Sequence, residues 1–274
     1  LGEQSGPLAK RRWINWGSWF TVEPPPNYES SLFRADMERR VAAIAWPIGK
    51  RLARWRAEGR EHLLAGVVVG WESGYYTAPV FDPANAPRFG DEVFGPEEAV
   101  RTGYAALTAR GYTAQTIEEQ ARREGKPESE VFHGLMGAVV RDYTAFLAEV
   151  CLAQGIPRER IYTHFTGVGA LPPEMIPPGL SEDGRTLPLS AAANENSRPG
   201  ITATVPWTEV GRASAMLAEQ GRPEWGAVEV EFTEFVRDEA PAPAYLESFS
   251  AGGAKVICIY GWWEPEGHPF AVRG

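Results

Sequence analysis

Hydrophobic positions along the chain follow two alternating patterns, one helical and one typical of strands. In residues 28–59 and 128–154 apolar side chains recur every three or four positions, with charged residues between them, as on an amphipathic helix. Pro47 is expected to kink the first of these helices. The same spacing predicts the complete set of helices: 28–59, 97–110, 116–124, 128–154, 209–220 and 243–251.

Between the helical segments lie short runs rich in β-branched and apolar residues. The run from Ala65 to Trp71 is continuously apolar, as expected for a strand that is covered on both faces. Five such runs are clear and a sixth, at 12–16, is weak. The predicted strands are 12–16, 65–71, 160–165, 200–205, 225–232 and 254–260.

Strands that alternate with helical segments predict a parallel sheet with helical crossovers. Two architectures fit, an open doubly wound sheet and a (β/α)₈ TIM barrel. The open sheet usually carries a glycine-rich phosphate loop, and neither GxGxxG nor GxxxxGK[ST] follows any predicted strand. Polar and aromatic residues do recur at the carboxyl ends of strands, where a barrel builds its active site. We therefore expect residues 1–274 to form one (β/α)₈ catalytic domain.

The charge balance narrows the class of partner. Lys plus Arg number 27 and Asp plus Glu number 36, which gives a net charge of −9, so no electrostatic attraction to nucleic acid is expected. No apolar run reaches the roughly 20 residues that a membrane span needs. We expect a soluble protein without nucleic-acid or membrane partners, either secreted or cytoplasmic, and the oligomeric state stays open.

The aromatic residues suggest a ligand other than nucleic acid or a membrane. The chain has ten Trp and nine Tyr, many of them beside Gly, Pro or acidic residues rather than within apolar runs. Exposed aromatic faces suit the C–H faces of sugar rings, although a large aromatic core would account for the same composition.

Cys151 and Cys258 show no metal-ligand spacing, and His164 has no second His nearby. No metal or other cofactor is therefore expected.

Two regions place carboxylates at strand ends. Glu72 follows the strand that ends at Trp71, and the run 225–232 carries Glu229 and Glu231 on one face if side chains alternate regularly. A pair of carboxylates on separate strands is what cleavage of a glycosidic bond requires. Separations of about 5–5.5 Å give retention and of about 6.5–9.5 Å inversion. Either Glu could instead be a structural residue.

These motifs resemble the large clan of retaining (β/α)₈ glycoside hydrolases. The resemblance is carried by Val-Gly-Trp-Glu at 69–72, Trp-Gly-Ala-Val-Glu at 225–229 and Ile-Tyr-Gly-Trp-Trp at 259–263, and it covers residues 65–274. It implies that Glu72 is the acid/base and Glu229 the nucleophile. Glu229 is preferred to Glu231 because the preceding turn ends at Arg222 and Pro223, which leaves a strand of normal length ending at Glu229.

The resemblance and the strand-end positions also suggest residues that contact a bound sugar. Trp262 or Trp263 would form the stacking platform, and His164 would orient a carboxylate or a sugar hydroxyl. Asn194 is either a hydroxyl ligand or a turn former. The predicted substrate-binding set is Trp71, Tyr75, His164, Asn194, Trp207, Trp262 and Trp263.

The chain departs from the clan in two respects. Trp71 stands where the clan has an Asn before the acid/base, so a contact to the sugar 2-hydroxyl must come from elsewhere. Only residues 12–16 are available as a strand before 65–71, and a barrel lacking strands would expose unpaired backbone. We therefore expect the N-terminal strands to be missing or irregular, or another segment to close the gap.

The leading hypothesis is thus a glycosidase that acts on an oligosaccharide or glycoside with two Glu carboxylates. Its expected mechanism retains the configuration of the anomeric carbon. The alternative is a non-catalytic carbohydrate-binding barrel protein that keeps the aromatic cleft. A Ser-nucleophile α/β hydrolase is disfavoured because GxSxG is absent from the sequence. Sugar, linkage, and exo or endo action are not determined by these patterns.

Overall fold

The computed structural model describes residues 11–15, 18–22, 26–71, 73–74, 88–89, 92–93, 104–165, 189–203, 208–230 and 241–259. Internal contacts divide the chain into two compact units. Unit 1 comprises 1–37, 74–143 and 171–188, and unit 2 comprises 38–73, 144–170 and 189–274. This division does not test the expectation of one catalytic domain over 1–274, which stays a prediction.

The helices lie where the hydrophobic spacing predicts them. They are α1 (Ser31–Ala57), α2 (Tyr104–Ala109), α3 (Ala114–Glu124), α4 (Glu128–Ala153), α5 (Thr208–Glu219) and α6 (Pro241–Ala251). The ends differ by a few residues, and residues 97–103 of the predicted second helix lie outside the described ranges. Pro47 lies within α1, which runs as one helix from Ser31 to Ala57. Within the described ranges, no helix combines the length and apolar character that a membrane crossing requires.

Capping explains why α3 begins at Ala114, two residues before the predicted start at 116. The Thr113 hydroxyl accepts from the backbone amide of Thr116, and the Thr116 hydroxyl accepts from the amide of Thr113. This reciprocal pair satisfies two amides that the first helical turn leaves without partners. Gly125 ends the helix with a φ of 66°, in the left-handed region that glycine adopts readily.

Unit 1 is held by an aromatic stack and an ion-pair network. The rings of Tyr28 and Tyr143 lie parallel with centroids 4.1 Å apart. Burial raises the pKa of Tyr143, so its phenol stays protonated. The Arg110 guanidinium lies 2.6 Å from Glu29 Oε1 and 2.8 Å from Asp142 Oδ2. Because Arg110 joins carboxylates 81 and 32 residues away in sequence, it links distant segments of this unit.

The described residues of unit 2 form five parallel strands. They are β3 (Val67–Val69), β6 (Ile161–Thr163), β7 (Gly200–Ala203), β8 (Trp225–Val230) and β9 (Ala254–Ile259). One sheet pairs β3 with β6. In the other sheet, β8 lies between β7 and β9 and pairs with both. Isolated parallel bridges, Tyr162 to Arg198 and Phe165 to Ile201, connect β6 with β7. The five clear strands predicted from the sequence are therefore confirmed, although the predicted ends 204–205, 231–232 and 260 lie outside the described residues.

The prediction of an eight-stranded (β/α)₈ barrel is wrong. The described residues form one two-stranded and one three-stranded parallel sheet rather than eight parallel strands. The weak strand predicted at 12–16 is β1 (Arg11–Asn15), which pairs antiparallel with β2 (Ser18–Val22). Only residues 16–17 separate these strands, and so short a connection joins antiparallel strands only. β4 (Arg88–Phe89) and β5 (Glu92–Val93) form a second antiparallel pair.

Candidate functional site

Three polar side chains meet at the carboxyl ends of neighbouring strands in unit 2. His164 directly follows β6, Thr202 lies in the second half of β7, and Glu229 is the penultimate residue of β8. Parallel strands present their carboxyl ends at the same edge of a sheet, so residues at these positions are neighbours in space. We refer to His164, Thr202 and Glu229 as the strand-end cluster.

An irregularity in β8 brings Glu229 to the same side as Thr202. Gly200 pairs with Gly226 and Thr202 pairs with Glu229, so two steps along β7 correspond to three along β8. Regular alternation over three residues would place Glu229 and Gly226 on opposite faces. The additional residue, Val228, reverses the alternation in the way that a β-bulge re-aims a side chain.

The cluster is a closed triangle of polar atoms. His164 Nε2 lies 3.0 Å from Thr202 Oγ1 and 3.1 Å from Glu229 Oε2. Thr202 Oγ1 donates to Glu229 Oε2 at 3.3 Å. The side chains of His164 and Glu229 are 13% and 22% exposed. Glu229 is therefore held at Oε2 by two neighbours, and its side chain is partly exposed.

Burial governs the charge of the imidazole. Desolvation lowers the pKa of His164, and the neighbouring Glu229 carboxylate opposes that shift by favouring the protonated ring. Because the net shift is downward, His164 is neutral at neutral pH. His164 therefore adds no positive charge beside the Glu229 carboxyl group.

The geometry differs from that of a nucleophilic hydroxyl triad. In such a triad the acid contacts the imidazole nitrogen opposite to the one that faces the hydroxyl. Here Thr202 and Glu229 both contact Nε2 of His164. Thr202 is therefore not arranged as a nucleophile with His164 as its base. In the described part of the chain, no group of three or more His, Cys, Asp or Glu residues is arranged to hold a metal ion.

A tight turn follows β3 and exposes an indole. Gly70 has a φ of 97° and Trp71 a φ of 24°, an uncommon value for a bulky residue. The Ser73 hydroxyl closes this turn by donating to the carbonyl oxygen of Gly70. The turn leaves Trp71 87% exposed, so its ring is open to solvent rather than packed in the core.

The same turn is attached to the strand-end cluster through the backbone. The amide of Ser73 donates to the carbonyl oxygen of His164 at 3.2 Å. This bond continues the pairing of β3 with β6 past the last residues of both strands. The segment after β3 and the residue that contacts Glu229 therefore lie at one edge of the sheet.

Asn194 has a local structural role. Its Oδ1 accepts from the amide of Asn196 at 2.9 Å and from the hydroxyl of Ser197 at 3.1 Å, and its Nδ2 donates to Thr144 Oγ1 at 3.5 Å. The residue is buried, so these bonds satisfy a side chain that water cannot reach. Of the two interpretations of Asn194, the turn former explains these contacts.

The remaining candidates lie outside the described residues. They are Glu72, Tyr75, Trp207, Glu231, Trp262 and Trp263. The structure therefore brings together His164 and Glu229 of the predicted set. It does not describe the pairing of Glu72 with Glu229, and the roles of these residues stay predictions.

Sequence reasoning did not single out Thr202. The available signal is a hydroxyl residue within the predicted strand 200–205, placed between Ile201 and Ala203. A polar residue at that position in an apolar run either meets a polar partner or faces solvent. The partner, Glu229, could not be inferred because the irregularity in β8 changes which side Glu229 faces.

The chain was compared with known protein families, curated proteins and solved structures, and none of the three comparisons gives a match.

Proposed function

We propose that this chain is a glycoside hydrolase in which Glu229 is one of two essential carboxylates. The observation that carries the proposal is the contact of Glu229 Oε2 with both His164 Nε2 and Thr202 Oγ1 at the carboxyl ends of parallel strands. A partly exposed carboxylate that is fixed on one oxygen suits displacement at a sugar carbon.

The partners of Glu229 favour a nucleophile over an acid. A nucleophilic carboxylate reacts in its ionised form, which only accepts hydrogen bonds. Thr202 has a hydroxyl to donate, and a neutral His164 has one ring N–H to donate. Both groups therefore support Glu229 as an acceptor, and the sequence resemblance assigns the nucleophile to the same residue.

Glu72 is proposed as the general acid/base. Its neighbour in the chain, Ser73, is bonded to the backbone of His164, whose ring contacts Glu229. Its other neighbour, Trp71, presents an open indole on which a sugar ring could stack. In this reaction Glu72 protonates the departing oxygen while Glu229 attacks the anomeric carbon, and Glu72 then activates the water that releases the sugar.

A panel of chromogenic glycosides tests the proposal directly. Wild-type protein is expected to release the chromophore from at least one member, and Glu229→Gln and Glu72→Gln should each lower kcat by roughly 10³-fold or more. Glu224→Gln is the matched control because Glu224 lies just before β8, where it pairs with Arg198 and Lys255. This control should stay within about twofold of wild type.

Two results would contradict the proposal. Wild-type turnover by folded Glu229→Gln would remove Glu229 from the reaction. Sugar-dependent changes in Trp fluorescence, with no product from any glycoside in the panel, would favour a non-catalytic carbohydrate-binding protein instead.

A further inference from the structure

We infer that Thr202 is a positioning residue which, together with the Nε2–H tautomer of His164, leaves Oε1 of Glu229 as the oxygen that reacts. This inference rests on the proposed function, since it specifies how the proposed nucleophile is oriented. It adds Thr202 to the site and names the reacting atom.

The contacts within the strand-end cluster require hydrogen-bond donors. The corners of the triangle are His164 Nε2, Thr202 Oγ1 and Glu229 Oε2, separated by 3.0, 3.1 and 3.3 Å. An ionised carboxylate supplies no proton, so each contact to Oε2 requires a donor on the other side. The Thr202 hydroxyl has one hydrogen and directs it to Oε2. The contact between Nε2 and Oε2 must then use a proton on Nε2.

The other neutral tautomer of His164 would not fit an ionised Glu229. With the proton on Nδ1, the lone pair of Nε2 would point at a carboxylate oxygen 3.1 Å away, and the two would repel. With the proton on Nε2, both neighbours of Oε2 donate to it. The geometry and the charge of Glu229 together select the Nε2–H tautomer.

The two oxygens of Glu229 are consequently not equivalent. Oε2 has two donors, whereas Oε1 has no hydrogen-bond partner among the residues that the structure describes. Two hydrogen bonds stabilise charge on Oε2 and reduce its reactivity toward an electrophile. Because the described residues place no donor on Oε1, the inference assigns the attack to this oxygen.

The reaction that follows balances at this atom. Oε1 forms the bond to the anomeric carbon as the bond from that carbon to the departing oxygen breaks. The departing oxygen takes the proton of Glu72. Water then attacks the anomeric carbon of the ester, Glu229 leaves as the carboxylate, and the proton from water returns to Glu72. Thr202 and His164 touch only the oxygen that does not attack.

Substitution of Thr202 separates positioning from folding. Thr202→Val keeps the side-chain volume but removes the donor, and it should lower kcat about 10- to 100-fold with little change in KM. Thr202→Ser restores a hydroxyl and should recover most of kcat. Ser248→Ala is the matched control, because Ser248 donates its hydroxyl to the Tyr245 carbonyl at 2.6 Å elsewhere in unit 2. It should leave kcat unchanged.

A spectroscopic measurement tests the tautomer without any turnover. The ¹⁵N shifts of His164, assigned by comparison with His164→Asn, should show a protonated Nε2 and an unprotonated Nδ1 at neutral pH. An unprotonated Nε2, or wild-type kcat in Thr202→Val, would overturn the inference. If Glu229→Gln is inactive in the same assays, the proposed function survives that failure. If Glu229→Gln is fully active, the proposed function itself fails.

Discussion

The backbone amide of Ser73 donates to the carbonyl oxygen of His164 across 3.2 Å. Ser73 follows Glu72 in the chain, and the ring of His164 contacts Glu229. One backbone bond therefore connects the turn after β3 with the strand-end cluster. This connection supports the proposal that Glu72 and Glu229 act on the same substrate.

The stability of the fold should depend on pH through His164. Because the pKa of His164 is lowered by folding, the unfolded chain binds a proton at this residue more readily than the folded chain does. The contribution to stability is complete above the ordinary imidazole pKa of about 6.5, and it decreases as pH falls below that value. Urea unfolding of wild type and His164→Asn at several pH values should show this loss in wild type only.

His62→Asn provides the control for that experiment. His62 lies on the exposed short helix Glu61–Leu63, so its replacement should leave the pH profile unchanged. A wild-type profile that rises as pH falls below about 6.5 would contradict the assigned direction for His164.

Glycine at position 226 should be essential to the packing beneath the cluster. A Cβ there would lie 2.6 Å from Tyr162 Cδ1 and 2.8 Å from Val256 Cγ1, and these partners are held in strands β6 and β9. Gly226→Ala is expected to destabilise the fold by about 1–3 kcal/mol through overpacking. Chemical denaturation measures the loss.

Gly211→Ala tests whether that loss is specific. Gly211 lies in α5, and a Cβ there meets nothing within 4 Å. Alanine is the better helix former by about 0.5–1 kcal/mol, so this variant should be as stable as wild type or more stable. Equal destabilisation by the two substitutions would be inconsistent with close packing at Gly226.

Trp71 is predicted to act through its ligand rather than through the core. Its side chain is 87% exposed, so Trp71→Ala should change the unfolding midpoint little. Loss of a stacking surface should raise KM roughly two- to tenfold, equivalent to about 0.5–1.5 kcal/mol. Trp46→Ala, at another exposed indole in α1, should leave KM unchanged. Identical KM values for wild type and Trp71→Ala would remove Trp71 from the substrate site.

Asn194 should behave as a structural residue. Removing its amide leaves the buried hydroxyl of Ser197 and the amide of Asn196 without their shared acceptor. Asn194→Ala is therefore expected to lower the free energy of unfolding by about 1–3 kcal/mol. Thermal unfolding measures the change, and KM of the folded fraction should match that of wild type. A raised KM at unchanged stability would instead restore the substrate-binding interpretation.

The sequence predicted elements better than their assembly. The sequence correctly located α1, α4 and the five parallel strands, because helices show a regular apolar spacing and strands covered on both faces show a continuous apolar run. Closure into a barrel depends on which strands pair, and no local pattern encodes that. The sequence predicts an isolated strand at 12–16, yet β1 (Arg11–Asn15) pairs with β2, which begins three residues later, and the two form a hairpin.

In the candidate site too, single residues could be predicted from the sequence, whereas their contacts could not. Glu229 and His164 were identifiable because charged or titratable residues at the ends of apolar strands need a partner or a task. Their contact depends on the additional residue in β8, because regular alternation would place Glu229 on the face opposite to Gly226. Thr202 was missed because a threonine in a strand is unremarkable until its neighbour across the ladder is known.

Covalent trapping of Glu229 is the most direct test of the central claim. A 2-deoxy-2-fluoro glycoside with a good leaving group slows breakdown of the glycosyl–enzyme ester, so a retaining enzyme accumulates the intermediate. Mass spectrometry of the proteolysed protein should find one sugar on the peptide that contains Glu229, with the modification assigned to that residue. A label on Glu231 or Glu72, or continued turnover of the glycoside by protein with no label, would contradict Glu229 as the nucleophile.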